Sequence, residues 1–186
     1  MRVISGTARG CNLKAPEGMD TRPTTDRIKE TLFNIIAPDL MECRFLDLFS
    51  GTGAIGIEAL SRGAEKAVFV DYSSESRKII EYNLSHTKLI EKAKVYTEKV
   101  SVIIEKLAKE NQKFDIIFMD PPYKKGLAEE TLNLIKEKNI LSQDGYIIVE
   151  HETSGELIVP KEFEIFKEKI YKKTTMTFIE RMEENN

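Results

Sequence analysis

Long apolar runs are missing from this chain of 186 residues. None approaches the roughly 20 residues that a helix needs to cross a bilayer. The opening Met1-Arg2-Val3-Ile4-Ser5-Gly6 lacks the apolar stretch of a secretory leader. Cysteine is also scarce. Cys11 and Cys43 are the two present, with neither disulfide nor metal spacing, so they read as reduced thiols of a cytoplasmic protein that needs no metal. Internal repeats, low-complexity tracts and linkers are absent too. The simplest organisation is one domain over residues 1–186, with 1–25 as a small hairpin-like extension and 26–186 as the core. Nor is there a surplus of charge, since the net value is -3. Residues 1–30 nevertheless carry six Lys/Arg against four acids. A basic segment on an acidic body suits a polyanion gripped locally, and an ordinary solvated surface fits as well.

What is present is an alternation. Phe45 to Phe49, Ala67 to Val70, Lys94 to Tyr96, Phe114 to Met119 and Tyr146 to Val149 read as strands. Between them Ala54 to Arg62, Ser74 to about Leu89, Val100 to Lys109 and Leu127 to Lys138 read as helices, with Gly63 stopping the first. Val100, Ile103, Ile104 and Leu107 show the helical spacing plainly. Strand–helix alternation implies an α/β fold, a parallel sheet wound on both faces with right-handed crossovers. Glu164 to Tyr171 and Thr174 to Ile179 have only Lys172-Lys173 between them, so they predict an antiparallel hairpin at the sheet edge. Val3 to Gly6 and Leu13 to Pro16 read as strands of a small N-terminal hairpin. Thr24-Thr25-Asp26 then caps a helix carrying Ile28, Leu32, Ile35 and Ile36, which Pro38 ends.

The first strand runs through Ser50 into Gly51-Thr52-Gly53-Ala54-Ile55-Gly56, and Asp71 closes the next strand, followed by Tyr72. Glycines there let the backbone approach a ligand, and a strand-end acid can accept from both ribose hydroxyls. A dinucleotide or S-adenosylmethionine fits this loop. Asp47 favours the second, because a carboxylate suits the ammonium of the methionyl end and repels a pyrophosphate. Asp47 bonded only to nearby backbone N–H groups remains the alternative.

After the fourth strand stands Asp120-Pro121-Pro122-Tyr123. Prolines fix the backbone and present carbonyls without N–H groups. An exocyclic base amine donates two hydrogens, one to the Asp120 carboxylate and one to the Pro121 carbonyl. That arrangement exposes the nitrogen lone pair, and Asp120 stabilises the positive charge that develops on methylation. Tyr123 offers a ring face for the extruded base. Arg22 and Arg27, in Arg22-Pro23-Thr24-Thr25-Asp26-Arg27, are candidates for RNA phosphates.

Taken together, Arg22 to Ile36, Leu46 to Gly63, Phe114 to Tyr123 and Gly145 to His151 resemble the bacterial RsmD-type 16S rRNA (guanine-N2)-methyltransferases. With Arg2 to Gly6 the resemblance spans nearly the whole chain, and the Arg22 to Arg27 segment makes it specific. It implies a class I, Rossmann-like methyltransferase fold with seven strands, one of them antiparallel and supplied by the last hairpin. It implies S-adenosylmethionine as methyl donor, guanine N2 of 16S rRNA as target, and an assembled or assembling small subunit as partner, met by a monomer away from any membrane. Many relatives carry an Asp or Asn after the third strand near the cofactor's adenine. Here the run is Tyr96-Thr97-Glu98-Lys99, and Glu98 is the candidate. His151 ends the fifth strand, where a structural role fits as well as a catalytic one.

The rivals are DNA adenine-N6 methylation, protein glutamine methylation, an NAD-dependent dehydrogenase and a non-catalytic RNA-binding module. Asp120 where Asn is typical counts against glutamine. Asp47 and the lack of an obvious hydride-transfer acid count against the dehydrogenase.

Overall fold

The computed structural model describes residues 1–16, 23–122 and 126–182, with side chains in the second stretch from residue 26 onward. Its helices are α1 (Pro23–Ile35), α2 (Ala54–Ser61), α3 (Ser74–His86), α4 (Val100–Lys109) and α5 (Leu127–Lys138). Its strands are β1 (Arg44–Leu48), β2 (Lys66–Asp71), β3 (Ala93–Thr97), β4 (Phe114–Met119), β5 (Leu141–Glu152), β6 (Phe163–Ile170) and β7 (Thr174–Arg181). No described helix is long and apolar enough to cross a membrane.

All seven strands join one sheet in the order β3-β2-β1-β4-β5-β7-β6. β1 pairs in parallel with β2 and β4, β2 with β3, and β4 with β5. The central strands are near-continuous apolar runs because helices cover both faces. One face packs Phe45, Phe69, Phe118 and Ile148 against α1, α2 and α3. The other packs Leu46, Val70, Met119 and Val149 against α4 and α5.

The C-terminal hairpin forms as expected, and β7 runs antiparallel to both β5 and β6. Burial decides their order. Met176, Phe178 and Ile179 of β7 are buried, so β7 lies inside the sheet. After Phe163, every residue of β6 is exposed, and charged residues suit an edge strand that must not recruit another chain.

Three boundaries differ from the sequence reading. α3 stops at His86 because Thr87 Oγ1 turns back to the Asn83 carbonyl at 2.7 Å and Lys88 takes a left-handed φ of 59°. β5 starts five residues early, at Leu141, because a register shift between Phe114 and Ile116 lets it pair past Gly145. The N-terminal residues make turns rather than two strands, closed by a single antiparallel bridge between Arg2 and Asn12. Their backbones bond to each other, Val3 N–H to the Cys11 carbonyl and Leu13 N–H to that of Met1 at 2.9 Å each, and α2 supplies further partners through Glu58 and Ser61.

Candidate active site

The parallel strands end together at one edge, and there a cleft of about 600 Å³ opens. This is where open α/β sheets take their ligands. Its floor is the glycine loop after β1. Phe49 has φ 60°, an unfavourable conformation for a bulky side chain, and Gly51 and Gly53 follow at 55° and 75°. Ser50 holds this turn in place. Its hydroxyl donates to the Asp47 carbonyl at 2.6 Å and accepts from the Val70 N–H at 2.9 Å, tying β1 to β2. A side chain at Gly53 would press on Ile80 and Phe69.

Asp47 lies buried in the cleft wall, and its Oδ2 accepts from the Gly56 N–H at 3.0 Å. The backbone partner anticipated as an alternative therefore exists, yet it occupies one oxygen. No hydrogen bond within the described residues reaches Oδ1. Burial pushes this carboxyl well above the usual carboxylate range, and the neighbouring Asp120 and Asp71 add to the shift. A cationic group at Oδ1 would restore its charge. Asp71 accepts from the Gly51 and Ser73 N–H groups at 2.9 and 2.8 Å, one on each oxygen. Each oxygen keeps a lone pair for a hydroxyl. The acid pattern thus fits an aminoacyl-nucleoside: an anion for the ammonium at one end and acceptors for ribose at the other.

Thr52 joins Asp47, Ser50 and Gly51 in lining the cleft; Gly53, Asp71 and Tyr72 are not among the lining residues, and Asp71 adjoins them through its bond to the Gly51 N–H. Tyr72 is largely exposed. Glu98 is exposed and accepts from the N–H of its own neighbour Lys99, so the structure sets it apart from the cleft.

Asp120 follows β4, the strand paired with β1, and lines the cleft beside Asp47. Part of the residue stays open to solvent, but desolvation by the walls pushes its carboxyl up to about 6. Pro121 is buried and Pro122 exposed. Tyr123 and Arg22 lie outside the described residues. Arg27 is exposed on α1, next to Ile28 and Lys29, which line the cleft. His151 faces β7, where Nε2 lies 2.9 Å from Thr177 Oγ1, an arrangement that is structural.

Several contributors escaped the sequence reading. Glu58 on α2 is fully buried. It accepts from the N–H groups of Ile4 and Ser5, from Arg62 and from Lys29. Lys29, also buried, donates to the Arg2 carbonyl at 2.6 Å. This network docks the N-terminal turns and α1 beside the cleft. Asn83, the polar residue on the inner side of α3, donates to the carbonyls of Lys14 and Thr52 at 3.0 Å each and so joins the N-terminal segment to the glycine loop. Glu150 at the end of β5 and Lys172 and Lys173 at the hairpin turn complete the walls. The sequence signal for Glu150 was only an acid after an apolar run, since its place beside Asp120 follows from the β4–β5 register. For Glu58 there was none, since an acid in an otherwise apolar helix has no distinguishing neighbour in sequence.

Comparison with known proteins agrees with this architecture. The family model described as "Conserved hypothetical protein 95" matches residues 1–180. The chain is 45% identical over 157 residues to "Putative rRNA methyltransferase YlbH" of Bacillus subtilis (strain 168), spanning 84% of this chain and 85% of that one. It is 37% identical over 171 residues to "Ribosomal RNA small subunit methyltransferase D" of Escherichia coli (strain K12), spanning 91% and 84%. Among solved structures it resembles "Putative methyltransferase yhhF from Escherichia coli", with TM-score 0.85, 31% identity and 99% of both chains covered.

Proposed function

We propose, on the premise that this chain belongs to the family described as Conserved hypothetical protein 95, that it transfers a methyl group from S-adenosylmethionine to the exocyclic N2 of a guanine in 16S rRNA. The partner is the small ribosomal subunit, and the enzyme meets it as a monomer. The observation that carries this reading is one cleft lined by Asp47 of β1 and, from the end of the paired strand β4, Asp120. That pairing sets a site for an ammonium next to a site for an amine. The relatives' names, ribosomal RNA methyltransferases, supply the nucleic acid and the subunit, and they disfavour DNA adenine as substrate.

S-adenosylmethionine supplies an electrophilic sulfonium methyl when bound. Asp47 Oδ1 holds the methionyl ammonium, and the Asp71 oxygens accept from ribose. The close backbone at Gly51 and Gly53 admits the nucleoside without a Cβ in its way. At the end of β4, Asp120 and the Pro121 carbonyl each take one hydrogen of the base amine, leaving its lone pair toward the donor. Asp120 opposes the positive charge that appears on the nitrogen, accepts the departing proton and passes it to water. Arg27, Lys172 and Lys173 grip phosphates beside the cleft, and Arg22 is a further candidate for a phosphate contact.

Asp120→Ala should lower methyl transfer to small subunits by at least about 100-fold. S-adenosylmethionine affinity measured by calorimetry should stay unchanged. Transfer at the wild-type rate would reduce the protein to an RNA-binding module.

A further inference from the structure

The reaction as described leaves Glu150 without a task. β4 and β5 pair in parallel with Met119 opposite Val149, so the next residues, Asp120 and Glu150, are neighbours across the strands. Two residues earlier, Phe118 and Ile148 point into the core on the α1–α2 side, and alternation places both acids on that same side, where both line the cleft. The Glu150 carboxylate makes no hydrogen bond or ion pair with any described residue. Burial and the charge of Asp120 push its carboxyl up to about 7. One strand further, at the β6–β7 turn, Tyr171 lines the same wall. Its hydroxyl is buried and makes no well-formed hydrogen bond, with Thr31 of α1 the polar group beside it. Such hydroxyls are uncommon, and this one, unlike those of Tyr96 and Thr97, belongs to a residue of the cleft wall, where a ligand can bring the partner.

Across β4, β5 and the hairpin turn the wall therefore presents acceptor, acceptor, donor. The Watson–Crick edge of guanine presents its complement in the same order: the N2 amine, the N1–H and the O6 carbonyl. Adenine has no hydrogen on N1, so a carboxylate there meets a lone pair.

We propose that Glu150 reads the N1–H of the target guanine, beside Asp120 on N2, with the Tyr171 hydroxyl facing O6. This rests on the base-methylation reading and adds to it the origin of base choice. A polar group built to pair with a donor rejects the analogue lacking it, because the buried group is then left unpaired. Lys172 and Lys173 at the rim cannot supply this choice, since phosphates are common to all nucleotides.

The test uses small subunits reconstituted with guanine or with 2-aminopurine at the target. The analogue keeps the C2 amine and lacks both N1–H and O6. The wild type should prefer guanine by at least about tenfold. Glu150→Ala should slow transfer to guanine, leave 2-aminopurine unchanged and bring the ratio near one. Glu150→Gln, which keeps an acceptor oxygen, should restore part of the preference. S-adenosylmethionine affinity and Tm serve as folding controls for both variants. Equal losses on both bases, or an unchanged preference in Glu150→Ala, would overturn the assignment while leaving the reaction in place. Absence of transfer from the wild type to guanine subunits would overturn the reaction and this assignment together.

Discussion

Asp120 and Glu150 sit in the cleft with pKa values raised to about 6 and about 7, and both are needed as carboxylates. The groups around them are Lys29 from α1, Asp47 from β1, and Tyr171, Lys172 and Lys173 from the hairpin. Desolvation raises both values, and for Glu150 the charge of Asp120 adds to it. The sign follows directly: lowering the pH protonates the pair, which removes the acceptor for N1–H and the counter-charge for the nitrogen. The kcat/KM for subunits should fall as pH drops through about 7 toward 6, steepening as the second group titrates. Carboxylates with ordinary values would hold activity down to about pH 4. A flat profile between pH 8 and 5.5 would remove both acids from the rate-determining chemistry. At this scale Asp47, Asp71 and Asp120 were legible in the sequence, because each stands at a strand end with a spacing that chemistry explains. Glu150 was not. Its meaning depends on the register that sets it beside Asp120, and register is not visible in one strand alone.

At the scale of elements, the N-terminal turns are held by a charge network as well as by a few backbone bonds of their own. Glu58 takes four donors in a fully buried place, and Lys29 is buried with it. Burial lowers the Lys29 pKa and the Glu58 carboxylate opposes that shift. Removing the acid strands an ammonium and two backbone N–H groups. Glu58→Ala should cost about 3–5 kcal/mol in urea unfolding and lower transfer, since Met1, Ile28 and Lys29 line the cleft. A loss below about 1 kcal/mol would show that the turns dock by packing alone. The helices and strands of the core were legible from periodicity. The N-terminal segment read as strands because Val3-Ile4 and Leu13 alternate with polar neighbours, yet Val3 and Leu13 pack into the core beneath α1. The hairpin partners at the C-terminus were legible too. Their order in the sheet became evident only when the buried side chains of β7 could be set against the exposed ones of β6.

For the molecule as a whole, the sheet order collects motifs distant in sequence at one edge. β1 supplies Asp47 and the glycine loop, β4 Asp120, β5 Glu150, and the β6–β7 turn Tyr171 and two lysines. The two sides of the cleft serve different ends: one fits a cationic nucleoside, the other an amine-bearing base edge. The fold class followed from the strand–helix alternation, and the chemistry from residues at strand ends. RNA as the substrate came from resemblance, for the amine-holding tetrapeptide itself serves adenine or guanine. The most direct test is transfer from methyl-labelled S-adenosylmethionine to small subunits from a strain lacking this gene, with the labelled nucleoside identified after digestion. The account predicts N2-methylguanosine in 16S rRNA, about one per subunit. N6-methyladenosine, or no label in the RNA, would contradict it.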